Sequence, residues 1–250
     1  MEEIYNKKMT LGLCKECKND FRKKYSKQLF CGLFCSSRFN LNNKHRALLP
    51  DTYSEPLAEL FGILLGDGSV TKYFLKIYLN LKVEKEYAVF VQQLLRGLFP
   101  NVPVTAYERP LRGTIDIQVS SKDVCDYLRS VGFSPKERFV PDWIIKRDLF
   151  VRATLRGLFD TEGSVGIKFF DGKRGGRMYK QLTFTNKNKN LLEFVEQKLS
   201  ERGFSPTKNS TKNIYVSNKE DIASYFKNIG SSNSKLTKGL RTEKIGAYSY

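Results

Sequence analysis

The chain has 250 residues, of which 40% are hydrophobic, enough to build one large domain or two small ones. Its 43 lysines and arginines outweigh 26 acidic residues, and the formal charge of +17 favours a polyanionic partner such as nucleic acid. No apolar run of about 18 residues occurs, which argues against a membrane span. The polar stretch Met1–Thr10 lacks the apolar core of a signal peptide. We therefore expect a cytoplasmic location, or the nucleoid, nucleus or organelle of the host, with reduced thiols.

Four of the five cysteines lie close together near the N-terminus, at Cys14, Cys17, Cys31 and Cys35. Their spacing is C-x2-C, then thirteen residues, then C-x3-C. Four thiolates at this spacing can close a tetrahedral Zn²⁺ site, and the intervening segment has too few apolar side chains to form a core without such a staple. The segment resembles small zinc-binding modules that accompany phage and mobile-element nucleases, although the C-x3-C pair leaves the subtype open. Residues 1–46 are the predicted four-cysteine zinc-binding module, and 47–53 the linker that follows.

One stretch then occurs twice in the chain. Leu60–Ser69 reads L-F-G-I-L-L-G-D-G-S, and Leu155–Ser164 reads L-R-G-L-F-D-T-E-G-S. Both predict a buried helix that ends in an acid followed by glycine and serine. Gly62 and Gly157 lie inside these helices, where each costs about 1 kcal/mol relative to alanine unless two backbones approach closely. The two helices are therefore predicted to pack on each other through their glycines.

The ends of these two helices predict a cation site. Ser54 and Asp148 are the expected N-caps, and the acids Asp67 and Glu162 lie at the C-terminal ends. The helix dipole disfavours an anion there by about 0.3–1 kcal/mol, and two adjacent carboxylates also repel each other. A divalent cation relieves both problems, and carboxylate, carbonyl and water oxygens suit Mg²⁺.

After each of these helices the chain predicts the same order of elements: two strands, a helix, a hairpin and a second helix. Alternation of apolar and polar residues indicates the strands, and amphipathic periodicity indicates the helices. In the first half the predicted elements are a strand over 75–81, a helix over 86–99, a hairpin over 102–120 and a helix over 122–131; in the second half they are strands over 164–170 and 179–187 around a basic turn, a helix over 191–202, a hairpin over 207–217 and a helix over 220–229.

The paired motifs resemble those of the LAGLIDADG homing endonucleases, in the single-chain form with two motifs per polypeptide. The resemblance covers residues 54 to 245 and implies an α+β fold of two αββαββα repeats, 54–138 and 148–250, joined by a linker over 139–147. Each repeat is expected to contribute a four-stranded antiparallel sheet. The two sheets together would form a saddle for double-stranded DNA, and the chain is expected to act as a monomer.

The polar faces of the predicted strands are expected to line this saddle. Strand side chains can read base edges in the major groove, and the remaining lysines and arginines can neutralise phosphates. The predicted DNA-binding residues are Lys76, Tyr78, Asn80, Arg109, Arg112, Asp116 and Gln118 in the first repeat and Lys168, Arg174, Arg177, Tyr179, Gln181, Thr183, Asn213 and Tyr215 in the second.

The resemblance also implies a reaction, the metal-dependent hydrolysis of both strands of a long DNA target, which would spread the enzyme's own intron or gene. Asp67 and Glu162 match the motif acids and are expected to hold Mg²⁺ or Mn²⁺. The carbonyl groups of Gly66 and Thr161 are expected to assist as metal ligands. Chemistry of this kind uses the metal to neutralise charge on the phosphate and to activate water.

Two lysines are further catalytic candidates. Lys82 and Lys187 are predicted to end the second strand of each repeat, where the family places a basic residue near the scissile phosphate. A cation there can stabilise the charge that develops during phosphodiester cleavage. The alternative is an ordinary contact between lysine and a phosphate of the bound DNA.

Two other functions remain open at this stage. A DNA- or RNA-binding protein of the same fold without nuclease activity, such as an intron maturase or a transcription regulator, is the main alternative. Retention of both motif acids favours the nuclease. An intein nuclease domain fits less well, because the sequence opens with Met1 and a zinc module and has no splicing-block signature.

Overall fold

The structure is a computed structural model that describes residues 10–42, 46–170, 176–208 and 211–241. It divides into two compact units, Met1–Arg46 and Ala47–Tyr250. Within the described residues, no helix combines the length and the apolar character that a membrane crossing requires.

The N-terminal unit is a short hairpin followed by one helix. Strand β1 (Leu11–Leu13) pairs in antiparallel fashion with β2 (Asp20–Arg22), and helix α1 (Leu33–Asn42) follows. Several apolar side chains of this unit face solvent, and Leu33 and Phe34 are 88% and 76% exposed. Apolar burial therefore contributes little to holding the hairpin and the helix together, as expected for a unit that depends on a metal.

The C-terminal unit contains two repeats in chain order. The first comprises α2 (Glu55–Asp67), β3 (Gly68–Val70), β4 (Phe74–Asn80), α3 (Lys85–Leu98), β5 (Val104–Arg109), β6 (Thr114–Ser120), α4 (Lys122–Ser130) and the short helix α5 (Asp142–Ile145). The second comprises α6 (Asp148–Glu162), β7 (Gly163–Phe170), β8 (Arg177–Thr185), α7 (Lys189–Ser200), β9 (Asn213–Val216), α8 (Lys219–Asn228) and α9 (Ser234–Arg241). The predicted α+β class and antiparallel sheets are confirmed.

The two sheets differ in one respect from the prediction. The first has four strands in the order β3-β4-β6-β5, whereas the second has three, β7-β8-β9, among the described residues. Where a fourth strand was expected, Thr207 forms a single antiparallel bridge with Tyr215. The preceding Pro206 has no N–H to donate to a ladder, and residues 209 and 210 lie outside the described part. Among the described residues the second sheet therefore has three strands, and four were predicted.

Helices α2 and α6 pack backbone to backbone through their glycines, as predicted. A Cβ atom built on Gly62 would lie 2.3 Å from the carbonyl oxygen of Thr154, and one built on Gly157 would lie 2.4 Å from that of Glu59. Thr154 Oγ1 also donates a hydrogen bond of 3.0 Å across the seam to the Ala58 carbonyl. The cost of two helical glycines is thus offset by close contact of two buried helices.

Of the two predicted N-caps, the one of α2 is confirmed and the one of α6 is not. Ser54 Oγ accepts the N–H of Leu57 at 3.4 Å and caps α2. Asp148 was predicted to cap α6, but the N-cap is Arg147, and Asp148 is the first helical residue. Its carboxylate instead forms ion pairs with Arg152 at 2.8 Å and with Arg202 at 2.5 Å, which draw it away from the helix N–H groups.

Candidate active site

The acids Asp67 and Glu162 are the last residues of α2 and α6, and the two helix ends touch. A Cβ atom on Gly66 would lie 2.1 Å from Thr161 Oγ1 and 3.2 Å from Glu162 Cγ. After the acids the backbone is extended, with φ −96° at Gly68 and −87° at Gly163, so each helix runs directly into the first strand of a sheet. The seam therefore brings both motif acids together, each directly before the first strand of a sheet.

Both carboxyl groups are partly buried, and their charged forms are disfavoured. Burial, and then the nearby Glu84 carboxylate, raise the pKa of Asp67 to about 6. Burial, and then the charge of Asp67, raise the pKa of Glu162 to about 7, although Asn186 Nδ2 donates to Glu162 Oε1 at 2.9 Å. A site with two such carboxylates gains stability from a bound cation.

Two cations that the sequence reasoning missed flank these acids. Arg138 Nη1 donates to the carbonyl oxygens of Leu65 at 3.3 Å and Gly66 at 3.4 Å. Lys235 Nζ donates to the carbonyl oxygen of Thr161 at 3.3 Å. Each cation thus contacts the carbonyl that precedes a motif acid, and both lower the pKa of the two acids against the effect of burial.

The same two cations occupy related places in the two repeats. Each follows a glycine in the left-handed region, Gly132 with φ 103° after α4 and Gly230 with φ 79° after α8. Arg138 lies six residues after the first glycine and Lys235 five after the second. A glycine followed at this distance by a cation in both repeats was the available sequence signal.

The predicted lysines lie beyond the strands they were expected to end. Strand β4 ends at Asn80 and β8 at Thr185, so Lys82 and Lys187 are both exposed residues of the following turns. Asn80 Oδ1 accepts the N–H of Lys82 at 2.9 Å and turns the chain away from the sheet. The strand placement was therefore wrong, and the catalytic role of both lysines stays a prediction.

In the first sheet, most predicted DNA-binding residues lie on the open face. Lys76, Tyr78 and Asn80 alternate along β4 with buried neighbours, Gln118 is half-buried beside them, and Arg109 and Arg112 are exposed at the hairpin end. Asp116 differs, since it is 7% exposed, accepts a hydrogen bond from Thr114 Oγ1 at 2.8 Å and pairs with Arg109 Nε at 3.6 Å. The carboxylate of Asp116 is thus used within the sheet, and its role as a DNA contact stays a prediction.

In the second sheet, Lys168 is exposed, and Tyr179, Thr183, Asn213 and Tyr215 are half-buried on the corresponding face. Gln181 is only 8% exposed and its Nε2 donates to Ser217 Oγ at 2.9 Å, so its role in DNA binding stays a prediction. Arg174 and the side chain of Arg177 lie outside the described residues.

The four cysteines of the N-terminal unit form a separate cluster. Their Sγ atoms lie within 4.8 Å of one another, near the separation of about 3.8 Å that tetrahedral Zn–S bonds of about 2.3 Å require. Burial raises the pKa of the Cys14 thiol, but backbone donors at Cys31, Cys17 and Glu16 outweigh this effect and lower the pKa to about 6. The Cys31 thiol and burial raise the pKa of Cys35 to about 12, so it is the spacing of the four sulfur donors that fits a bound Zn²⁺.

Similarity to known proteins agrees with this geometry. Residues 149–230 match the family described as LAGLIDADG-like domain. The crystal structure of I-DmoI in complex with DNA and Mn superposes with a TM-score of 0.51 and 20% identity, over 70% of this chain and 96% of that one. Full-length DUF199/WhiA from Thermotoga maritima gives a TM-score of 0.51 and 14% identity, over 80% of this chain and 64% of that one.

Sequence relatives come from Methanocaldococcus jannaschii. An uncharacterized protein is 30% identical over 146 residues, covering 56% of this chain and 51% of the relative. The replication factor C small subunit is 29% identical over 196 residues, covering 75% of this chain and 10% of that relative. The chain thus spans about half the length of the first relative and a tenth of the second.

The fold and the paired acids therefore resemble those of a LAGLIDADG protein with two repeats in one chain, which is the resemblance that the sequence indicated. Its fold is the one found in the homing endonuclease I-DmoI, and its second repeat is a LAGLIDADG-like domain by sequence.

Proposed function

We propose that this protein is a metal-dependent DNA endonuclease that makes a double-strand break at a long, specific target, and that it thereby spreads its own intron or gene. The observation that carries the proposal is the pair of desolvated carboxylates, Asp67 and Glu162, at two touching helix ends. Such a pair fits a divalent cation, with Mg²⁺ or Mn²⁺ favoured by the oxygen donors. The complex of I-DmoI with DNA and Mn supports this assignment.

The residues have distinct roles in this proposal. Asp67 and Glu162 would hold the metal, with the carbonyls of Gly66 and Thr161 as additional oxygen donors. When bound, the metal would supply a positive charge for the phosphate and lower the pKa of a coordinated water. Arg138 and Lys235 place two further positive charges beside the acids, where fixed donors can stabilise the charge that develops on the cleaved phosphate.

The two sheets supply a basic and polar surface for the DNA. Lys76 and Lys168 lie on the open faces, and Arg109 and Arg112 lie at the end of the β5–β6 hairpin. Because both motif acids belong to one chain, a monomer would be able to cleave both strands of a duplex. The Zn²⁺ proposed for the N-terminal unit would stabilise that unit without taking part in cleavage.

The alternative is a DNA-binding protein of the same fold that does not cut. The similarity to WhiA favours this alternative, because it extends over 80% of the chain. The presence of both acids, together with a flanking cation in each repeat, favours cleavage.

Incubation with a randomised duplex library tests the proposal. The protein is assayed in MgCl₂ and in EDTA, and both cut ends and bound duplexes are sequenced. The proposal predicts cut ends from one sequence in MgCl₂ alone. An enriched bound sequence without cut ends would favour the DNA-binding protein that does not cut. If sequencing finds no cut ends and no enriched sequence, DNA is rejected as the substrate.

A further inference from the structure

A buried acid of the first repeat contacts the cation of the second. Glu84 is 4% exposed, directly before α3. Its Oε2 accepts the N–H of Asn80 at 2.7 Å, and its Oε1 accepts both Asn233 Nδ2 and Lys235 Nζ at 2.9 Å. These donors satisfy a carboxylate whose charge would otherwise be costly to bury.

Lys235 connects this acid to the candidate active site. Its side chain is 27% exposed, and its Nζ bridges Glu84 Oε1 in the first repeat and the Thr161 carbonyl oxygen in the second. Thr161 directly precedes the motif acid Glu162. The position of the ammonium group is therefore determined by contacts from both repeats.

We propose that Glu84 is a positioning residue that holds the Lys235 ammonium group beside Glu162. The first repeat thereby positions the cation that belongs to the second repeat's half of the site. The role in catalysis rests on the proposed nuclease function, whereas the placement of Lys235 can be tested without it.

The chemistry of the two cations explains why only one needs such a partner. The planar guanidinium of Arg138 contacts two successive carbonyls, Leu65 and Gly66, and is oriented by both. In the part of the chain that the structure describes, no ion pair joins Arg138 to an acid. Lysine is a point charge on a flexible stem, and one carbonyl contact leaves its position poorly defined. Glu84 supplies the missing constraint, which makes the two halves of the site unequal.

The first experiment measures the chemical reactivity of Lys235 in the protein without DNA. Pulse acylation of lysines, read by mass spectrometry, is compared among wild type, Glu84→Gln and the control Glu86→Gln. Glu86 joins the same two regions by accepting Ser234 Oγ at 2.6 Å and pairing with Lys238 at 3.5 Å, but its side chain is 72% exposed. Glu84→Gln should increase acylation of Lys235 severalfold, and Glu86→Gln should leave it at the wild-type rate.

The exposed Lys146, which pairs with neither Glu84 nor Glu86 among the described residues, provides an internal standard for reagent access in all three proteins. If Glu84→Gln does not fold, Glu84→Asp keeps the charge but shortens the side chain, and should still increase Lys235 acylation. Unchanged Lys235 acylation in a folded Glu84 variant would overturn the proposal.

The second experiment follows nicking of each strand of a cleavable duplex. Glu84→Gln should slow mainly the strand that Lys235→Met also slows, whereas Glu86→Gln should slow neither. If Glu84→Gln has wild-type thermal stability but slows the nicking of both strands equally, the claim that the two halves of the site are unequal is rejected. If the wild-type protein cuts no DNA, the nuclease proposal fails, but the acylation result still decides whether Glu84 positions Lys235.

Discussion

Replacing Gly62 by alanine tests whether contact between the two helix backbones organises the fold. The new Cβ atom would lie 2.3 Å from the Thr154 carbonyl oxygen and 3.0 Å from the Leu158 nitrogen. Ordinary contacts begin at 3.4 Å, so α2 and α6 must separate by about 1 Å, and backbone atoms cannot avoid the clash by changing rotamer. Overpacking of this kind costs about 1–3 kcal/mol, and we expect the upper end of this range because both helices are rigid.

Alanine also has the higher helix propensity, which increases the free energy of unfolding by about 1 kcal/mol. The net expectation for Gly62→Ala is a loss of about 2 kcal/mol in the free energy of unfolding. Gly97→Ala in α3 is the matched control, because its Cβ would have no neighbour within 4 Å. This variant should gain about 0.5–1 kcal/mol from propensity alone.

Urea unfolding at 25 °C measures both variants. Trp143 is the only tryptophan and its ring packs 5.4 Å from that of Phe61 on α2, so its fluorescence reports on this core. A Gly62→Ala protein as stable as Gly97→Ala would refute the close-contact explanation of the seam.

Three further expectations concern charge and metal. Burial raises the pKa of Asp67 to about 6 and of Glu162 to about 7, so their contribution to stability is present below the unfolded-state pKa of about 4 and is lost as pH rises towards 7. In EDTA at pH 8, the Asp67→Asn, Glu162→Gln double variant should therefore have a higher Tm than wild type by calorimetry, and a lower Tm would contradict repulsion between the two carboxylates. Strong zinc chelation should increase amide hydrogen exchange over residues 10–42 but not over 47–170, and protection unchanged after zinc removal would argue against a structural metal. DNA affinity should fall with the logarithm of salt concentration at a slope of about −0.9 per neutralised phosphate, whereas a flat dependence would argue against the basic sheet faces as the contact surface.

The helix seam and its acids could be predicted because the signal is local and occurs twice. Gly62 and Gly157 are unfavourable inside helices, so their presence in two copies of one motif already indicated close packing. Strand alternation likewise indicated which side of each sheet is open. It could not indicate that Asp116 and Gln181 are used within their own sheets, because Arg109 lies on the neighbouring strand β5 and Ser217 lies directly after β9.

The cations beside the acids were not predictable from the motif. Arg138 contacts a carbonyl 72 residues earlier in the chain, and Lys235 one 74 residues earlier. Their placement follows the left-handed turns at Gly132 and Gly230 and the packing of the segments after them. Lys82 and Lys187 were chosen from the family resemblance together with strand parity, and their placement on the strands was wrong because the strands end before either residue.

The most direct test of the central claim compares binding and cleavage on one duplex recovered from the library. Wild-type protein and the Asp67→Asn, Glu162→Gln double variant are titrated against this duplex in CaCl₂ for affinity and in MgCl₂ for cleavage. The two acids are predicted to serve cleavage and not recognition, so the variant should bind with wild-type affinity and leave both strands intact. Cleavage of either strand by the double variant at the wild-type rate would contradict the assignment of Asp67 and Glu162 as the metal-binding centre.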